Sequence, residues 1–174
     1  MSNRSNHIKT NELILYNNIL SLSRNKLFYT KLALADTFQN RINLIFFHIS
    51  FIFIKFNKNK KKNEHKIFYQ KLFDTAFKQI ELNMRELGYG DVTVNKNMKF
   101  LVKTFYNILF FCESYNIKRK EYKRTFINQF LKNNTSKKVA NYDNLIDYFD
   151  EFQSFCFDLS SDSVLKGEFK FKFN

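Results

Sequence analysis

The chain has 174 residues, of which 44% are hydrophobic, with 23 phenylalanines, three glycines and no proline. Turn-rich sandwiches and barrels take their corners from glycine and proline, so this composition excludes them and predicts long helices in a single domain. A net charge of +13, with a pI near 9.7, points to an anionic neighbour: nucleic acid, a ribosome or an anionic membrane face.

Residues 1–10 read as a flexible N-terminal segment, and residues 1–12 are too polar for a secretion signal. Residues 11–23 predict a first helix, with Leu15, Ile19 and Leu22 on one side. A second apolar segment runs from Leu27 to Ala35. Asp36 then opens a strong helix start, its carboxylate capping the amide three positions on while Gln39 reaches back. From there Phe38, Ile42, Ile45, Phe46, Ile49 and Phe53 keep helical spacing, and Leu44, Phe47, Phe51 and Ile54 fill the other faces. Such a helix is surrounded by partners. Its apolar run, Ile42 to Ile54, falls short of the roughly 20 residues a spanning helix needs. The protein is therefore expected to be soluble or peripheral to a membrane.

Residues 57–63 are a charged break. The next helix, about 64–87, carries Phe73, Phe77, Ile80, Met84 and Leu87 inward, with Asp74, Lys78, Glu81 and Arg85 as a solvated face. Gly88 suits its C-terminal cap. Residues 88–95 are read as a turn and Asn95 as the cap of a further helix with Met98, Val102, Phe105, Leu109 and Cys112 inward. A basic segment follows, Lys118, Arg119, Lys120, Lys123, Arg124, Lys132, Lys137 and Lys138, interleaved with Tyr122, Phe126 and Phe130. A last helix, about 141–159, turns Leu145, Phe149, Phe152, Cys156 and Leu159 inward and Asp143, Asp147 and Asp150 outward. The end, Glu168 to Phe173, alternates like a strand without an evident partner and reads as a flexible tail, disordered or docked. The sum is an all-α fold: one compact helical domain of about six helices over residues 11–160, with a tail at 161–174.

Catalytic and metal chemistry find no residues to use. His7, His48 and His65 are scattered, Cys112 and Cys156 lack thiol neighbours and read as reduced core residues, and no phosphate-binding glycine loop follows a strand. Neither catalytic residues, metal ligands nor a cofactor are expected. Three features stand out instead. Arg41, His48 and Lys55 recur every seven residues and share one narrow helix face, either as a core line or as the wall of a groove. The stretch from Met84 to Asp91, with Gly88 and Gly90, makes a helix–turn–helix corner in which Arg85, Glu86 and Asp91 are the polar groups. The basic helix at about 117–132 suits an anionic membrane or RNA through Lys118, Arg119, Lys120, Lys123 and Arg124.

From Phe28 to Tyr115 these segments together resemble the ubiquinol–cytochrome c chaperone family. Phe28-Tyr29 with Ala35-Asp36-Thr37 is similar to the family's aromatic pair and helix start. Arg41 and His48 stand where the family carries arginine and histidine. Leu72-Phe73-Asp74, Arg85-Glu86-Leu87-Gly88, Gly90-Asp91, Val94, Lys96 and Phe105-Tyr106 continue in register. Asn40 stands for a usual glycine, Ala35 and Asn95 for prolines, and Asn107-Ile108 for a Gly-Arg pair. The resemblance implies a non-catalytic assembly factor with newly made cytochrome b as its client. It also implies a ribosome and a second assembly factor as partners; the short length and the lack of a targeting signal in the sequence lead to the expectation of a cytoplasmic location peripheral to the inner membrane, and DNA is not an expected partner. Asp36, Thr37, Arg41, His48, Arg85, Glu86, Gly88, Gly90, Asp91, Lys96 and Tyr106 would meet the client or partner. The rival reading is a basic helical module for RNA or ribosomes, marked by steep salt dependence.

Overall fold

The computed structural model describes residues 10–57, 63–133 and 142–173. Residues 1–9 of the N-terminal segment, most of the charged break, and Lys137 and Lys138 lie outside the described residues. The described helices are α1 (Asn11–Ser23), α2 (Lys26–Thr30), α3 (Phe38–Asn57), α4 (Asn63–Glu86), α5 (Asp91–Glu113), α6 (Lys120–Phe130), α7 (Tyr142–Asp158) and α8 (Ser161–Leu165), with a 3-10 turn at Tyr115–Ile117. Six of them, from the 11 residues of α6 to the 24 of α4, carry the fold. There is no strand among the described residues; a single antiparallel bridge joins Leu34 to Asn133.

The core is built around α3. Every residue from Ile42 to Ile52 is buried, because α1, α4, α5 and α7 pack on its different sides. An all-round apolar helix is stable only when it is enclosed in this way. Phenylalanines supply the interlock: Phe46 stacks on Phe77 and meets Phe105 edge-on, both at 5.4 Å, while Phe47 stacks on Phe149 at 4.8 Å. Such offset and edge-to-face pairs are worth about 1 kcal/mol beyond burial. Cys112 and Cys156 are free and buried, and burial pushes both thiols well above their ordinary pKa, so neither is a ready nucleophile.

Local chemistry shifts some expected boundaries. Thr37, and not Asp36, caps α3: its hydroxyl accepts from the Asn40 amide at 3.2 Å. The carboxylate of Asp36 is held instead by Arg41, and Gln39 reaches forward to Asn43. The helix α5 starts at Asp91, with Gly90 as its N-cap, five residues before the expected cap at Asn95. Asp91 favours that start because a carboxylate in the first turn meets the positive end of the helix dipole. At the other side of the corner Gly88 sits at φ +88° and closes α4. Its amide bonds Arg85 O, and the Tyr89 amide bonds Met84 O, the paired closure that a left-handed glycine permits. Leu87 follows this turn outward and is exposed, where a buried position was expected.

The C-terminal segment settles one open alternative: residues 166–173 are docked. Phe169 is buried against Phe152 and Phe155, and Phe171 and Phe173 lie on Tyr148. Gly167, at φ +74°, passes so close to α1 that a Cβ there would lie 2.8 Å from the Asn11 carbonyl.

Candidate functional site

The residues singled out from sequence fall into four places. At the first, the Arg41 guanidinium grips Asp36 through two bonds, Nε to Oδ1 at 2.7 Å and Nη2 to Oδ2 at 2.9 Å. This contact holds the Asp36 carboxyl below its usual range and raises Arg41. Arg41 also covers the Tyr29 ring at 5.6 Å. It lines a groove of about 370 Å³ between α1, α3 and α4, together with Arg24, Ile45, Ile80 and Glu86. Thr37 caps the helix that presents Arg41, so the three residues form one local unit.

The second place is the corner between α4 and α5. Arg85 reaches Asp91 through Nη1 at 2.5 Å, and Glu81 through Nε at 3.0 Å and Nη2 at 2.8 Å. One guanidinium thereby ties the last turn of α4 to the first turn of α5, with Gly88 and Gly90 supplying the bend between them. All of these groups are at the surface, as is Lys96 farther along α5.

His48 occupies the third place, in the core. Leu44 O can only accept, so Nδ1 carries the proton and donates to it at 2.6 Å; Nε2 then accepts from the Tyr148 hydroxyl, also at 2.6 Å. The ring is packed among Phe28, Phe149 and Phe152, and its burial drives the pKa from 6.5 down to about 4. Arg41, His48 and Lys55 share a helix face yet meet different surroundings: a surface carboxylate, a tyrosine in the core, and the carbonyl of Phe157.

The fourth place is a larger open groove of about 500 Å³ between α3, α4 and α5, walled by Phe53, Tyr69, Phe73, Phe105 and Tyr106, with Lys66 and Glu113 among its polar groups. Volumes of this size with aromatic walls and few polar groups are typical of sites that bury an apolar partner. Of the sequence candidates, Tyr106 alone belongs to it. Phe53 and Phe73 keep helical spacing and read as core, Phe73 also within the family-like Leu72-Phe73-Asp74, and nothing in the sequence marks Tyr69, four residues before Phe73.

The basic helix meets acid inside the chain. Asp143, Asp147 and Asp150 of α7, expected to face outward, lie opposite α6. Lys123 bonds Asp150 at 2.8 Å, Arg124 bonds Asp143 at 2.6 Å, and Lys120 lies 3.9 Å from both Asp143 and Asp147. Lys123 is nearly buried, its ammonium 4.0 Å from the Tyr115 ring centre. Lys118 covers the Tyr122 ring, and Arg119 is the N-cap residue of α6.

Two anchors were not foreseen. Asn40 donates to Ala35 O and Lys132 O and accepts from the Lys132 amide, and Asn43 donates to Phe130 O. Two buried asparagines on α3 therefore satisfy the C-terminal end of α6. Their signal was an amide side chain on an apolar helix face, where every polar group needs a partner.

Among the described residues no group of three or more His, Cys, Asp or Glu side chains could hold a metal ion, and no helix is long and apolar enough to cross a membrane. A family model described as ubiquinol–cytochrome C chaperone matches residues 30–171. The crystal structure of the Cbp3 homolog from Brucella abortus is similar in fold, with a TM-score of 0.77 at 20% identity over 94% of this chain and 89% of that one. No curated protein matches the sequence.

Proposed function

The chain belongs to the ubiquinol–cytochrome c chaperone family, and from that premise we propose that it is a non-catalytic assembly factor that holds newly made cytochrome b for entry into the ubiquinol–cytochrome c reductase complex. The observation that supports this reading is the open aromatic groove between α3, α4 and α5. A membrane-protein client exposes apolar helical segments before it is assembled, and such a segment is bound by a groove with apolar walls and a polar rim. The cytoplasmic face of the inner membrane is where such a client is received, and a ribosome and a second assembly factor are the partners that fit this role. The rival reading, RNA held by the basic helix, has less to rest on, because Lys120, Lys123 and Arg124 already face carboxylates of α7.

The test is a reduced-minus-oxidised absorption spectrum of membranes with and without the gene, joined to a pull-down of cytochrome b by the tagged protein. Deletion is expected to remove the b-type signal of the reductase while other cytochromes persist. Tyr106→Asp, which puts a charge on an exposed wall of the groove, is expected to abolish the pull-down without changing the melting temperature. A normal spectrum in the deletion strain would overturn the proposal.

A further inference from the structure

We propose that the outward face of α5 is a docking surface for an anionic lipid bilayer. At 100° per residue, Val92, Lys96, Lys99, Lys103, Tyr106 and Phe110 fall on one strip of the helix, with Phe100 beside it, and all seven are exposed. The opposite side, from Val94 through Leu101, Phe105 and Ile108 to Cys112, is buried in the core. No Asp or Glu occurs between Val92 and Cys112. Among the described residues no carboxylate pairs with Lys96, Lys99 or Lys103. The helix that looked most basic in sequence is thus largely neutralised within the fold, while α5 keeps its positive charge for a partner.

The aromatic residues on this face identify the partner. Phe110 is 76% exposed, Phe100 58% and Tyr106 55%, which leaves a large apolar area beside three ammonium groups. The strip from Val92 to Phe110 is about 27 Å long at 1.5 Å per residue, so a flat surface can meet all three lysines at once. Lysines reaching phosphates while phenylalanines enter the headgroup boundary is the chemistry of a helix lying on a bilayer. Single-stranded RNA is instead held in grooves that combine stacking platforms with arginine, whereas this face is the outside of a helix and carries no arginine. The proposal does not rest on the client reading, since lipid vesicles contain no client.

The experiment is flotation of the full chain with vesicles of phosphatidylcholine, alone or mixed with phosphatidylglycerol. Binding is expected to the mixed vesicles alone and to weaken as salt is raised. The triple variant Lys96→Gln, Lys99→Gln, Lys103→Gln should bind roughly 100-fold more weakly, from about fivefold per lysine near the surface. Phe110→Ser, with charge unchanged, should bind roughly tenfold more weakly. A control triple at the two ends of α2 and just after α8, Lys26→Gln, Lys31→Gln, Lys166→Gln, removes the same charge and should bind like the parent protein. Failure of the parent protein to float, equal loss in the two triples, or an unaffected Phe110→Ser would each overturn the proposal. So would tight binding of unrelated single-stranded RNA with vesicles left unbound, which would assign the face to nucleic acid.

Discussion

At His48 the fold holds a neutral imidazole between an acceptor and a donor. The Leu44 carbonyl takes the Nδ1 proton and the Tyr148 hydroxyl gives its own to Nε2. Protonating Nε2 would place a charge on a fully buried ring, and that desolvation moves the pKa from 6.5 to about 4, even though the bond to the Leu44 carbonyl favours the charged form. Between those values the unfolded chain binds a proton that the folded chain refuses. His48 therefore contributes its full stability above pH 6.5 and loses it as the pH falls toward 4, at about 1.4 kcal/mol per pH unit. Urea midpoints should fall accordingly from pH 7 to pH 5, and His48→Gln should flatten that slope. An equal slope in the variant would show that some other group titrates. The sequence made the histidine visible, on an otherwise apolar helix, and left open whether it was core or groove wall. Tyr148, a hundred residues away, decides that in favour of the core.

Helices were legible wherever the period of 3.6 was strong, as in α1, α3, α4 and α7; what each helix faces was not. A carboxylate row at Asp143, Asp147 and Asp150 and a basic row at Lys120, Lys123 and Arg124 each look like a solvated face when read alone. The α6–α7 hairpin sets them opposite each other. The start of α5 was misjudged for a related reason: an asparagine looked like a cap, while the glycine and the Arg85–Asp91 contact that form the corner belong to two helices. Lys123 measures how much the hairpin depends on its charges, since its side chain is only 10% exposed whereas that of Asp150 is 47% exposed. Asp150→Asn leaves that ammonium without its counter-charge and should cost about 1 to 2 kcal/mol, less than a fully buried pair because water reaches the carboxylate. Adding Lys123→Met should recover most of the loss, as a double-mutant cycle on urea unfolding would register. If Asp150→Asn alone changes nothing, Lys123 has swung out to solvent and the pair holds no part of the hairpin together.

Across the whole molecule, the two ends of the described chain meet. Asn18 of α1 donates to Gly167 O, a contact spanning 149 positions, and the tail beyond it lays Phe169, Phe171 and Phe173 along α7. No local period could announce this, because an alternating Phe-Lys segment says that one side is covered and not by what. Phenylalanine enters nearly every interface of this core, so any apolar surface was an equal candidate. Gly167 is the one position in the tail whose need is specific: a positive φ and a backbone carbonyl 2.8 Å from where a Cβ would stand. Gly167→Ala should therefore force the tail away from α1 and cost at least about 1 to 2 kcal/mol from backbone strain alone. Ending the chain after Lys166 removes one buried and two partly buried phenylalanines and should cost about 3 to 5 kcal/mol. Hydrogen exchange separates a strap from a passive overhang. Either change should speed exchange in α1 and α7, where the tail makes its contacts, more than in α5. Unchanged exchange in α7 after truncation would mean that the aromatic contacts of the tail hold nothing in place.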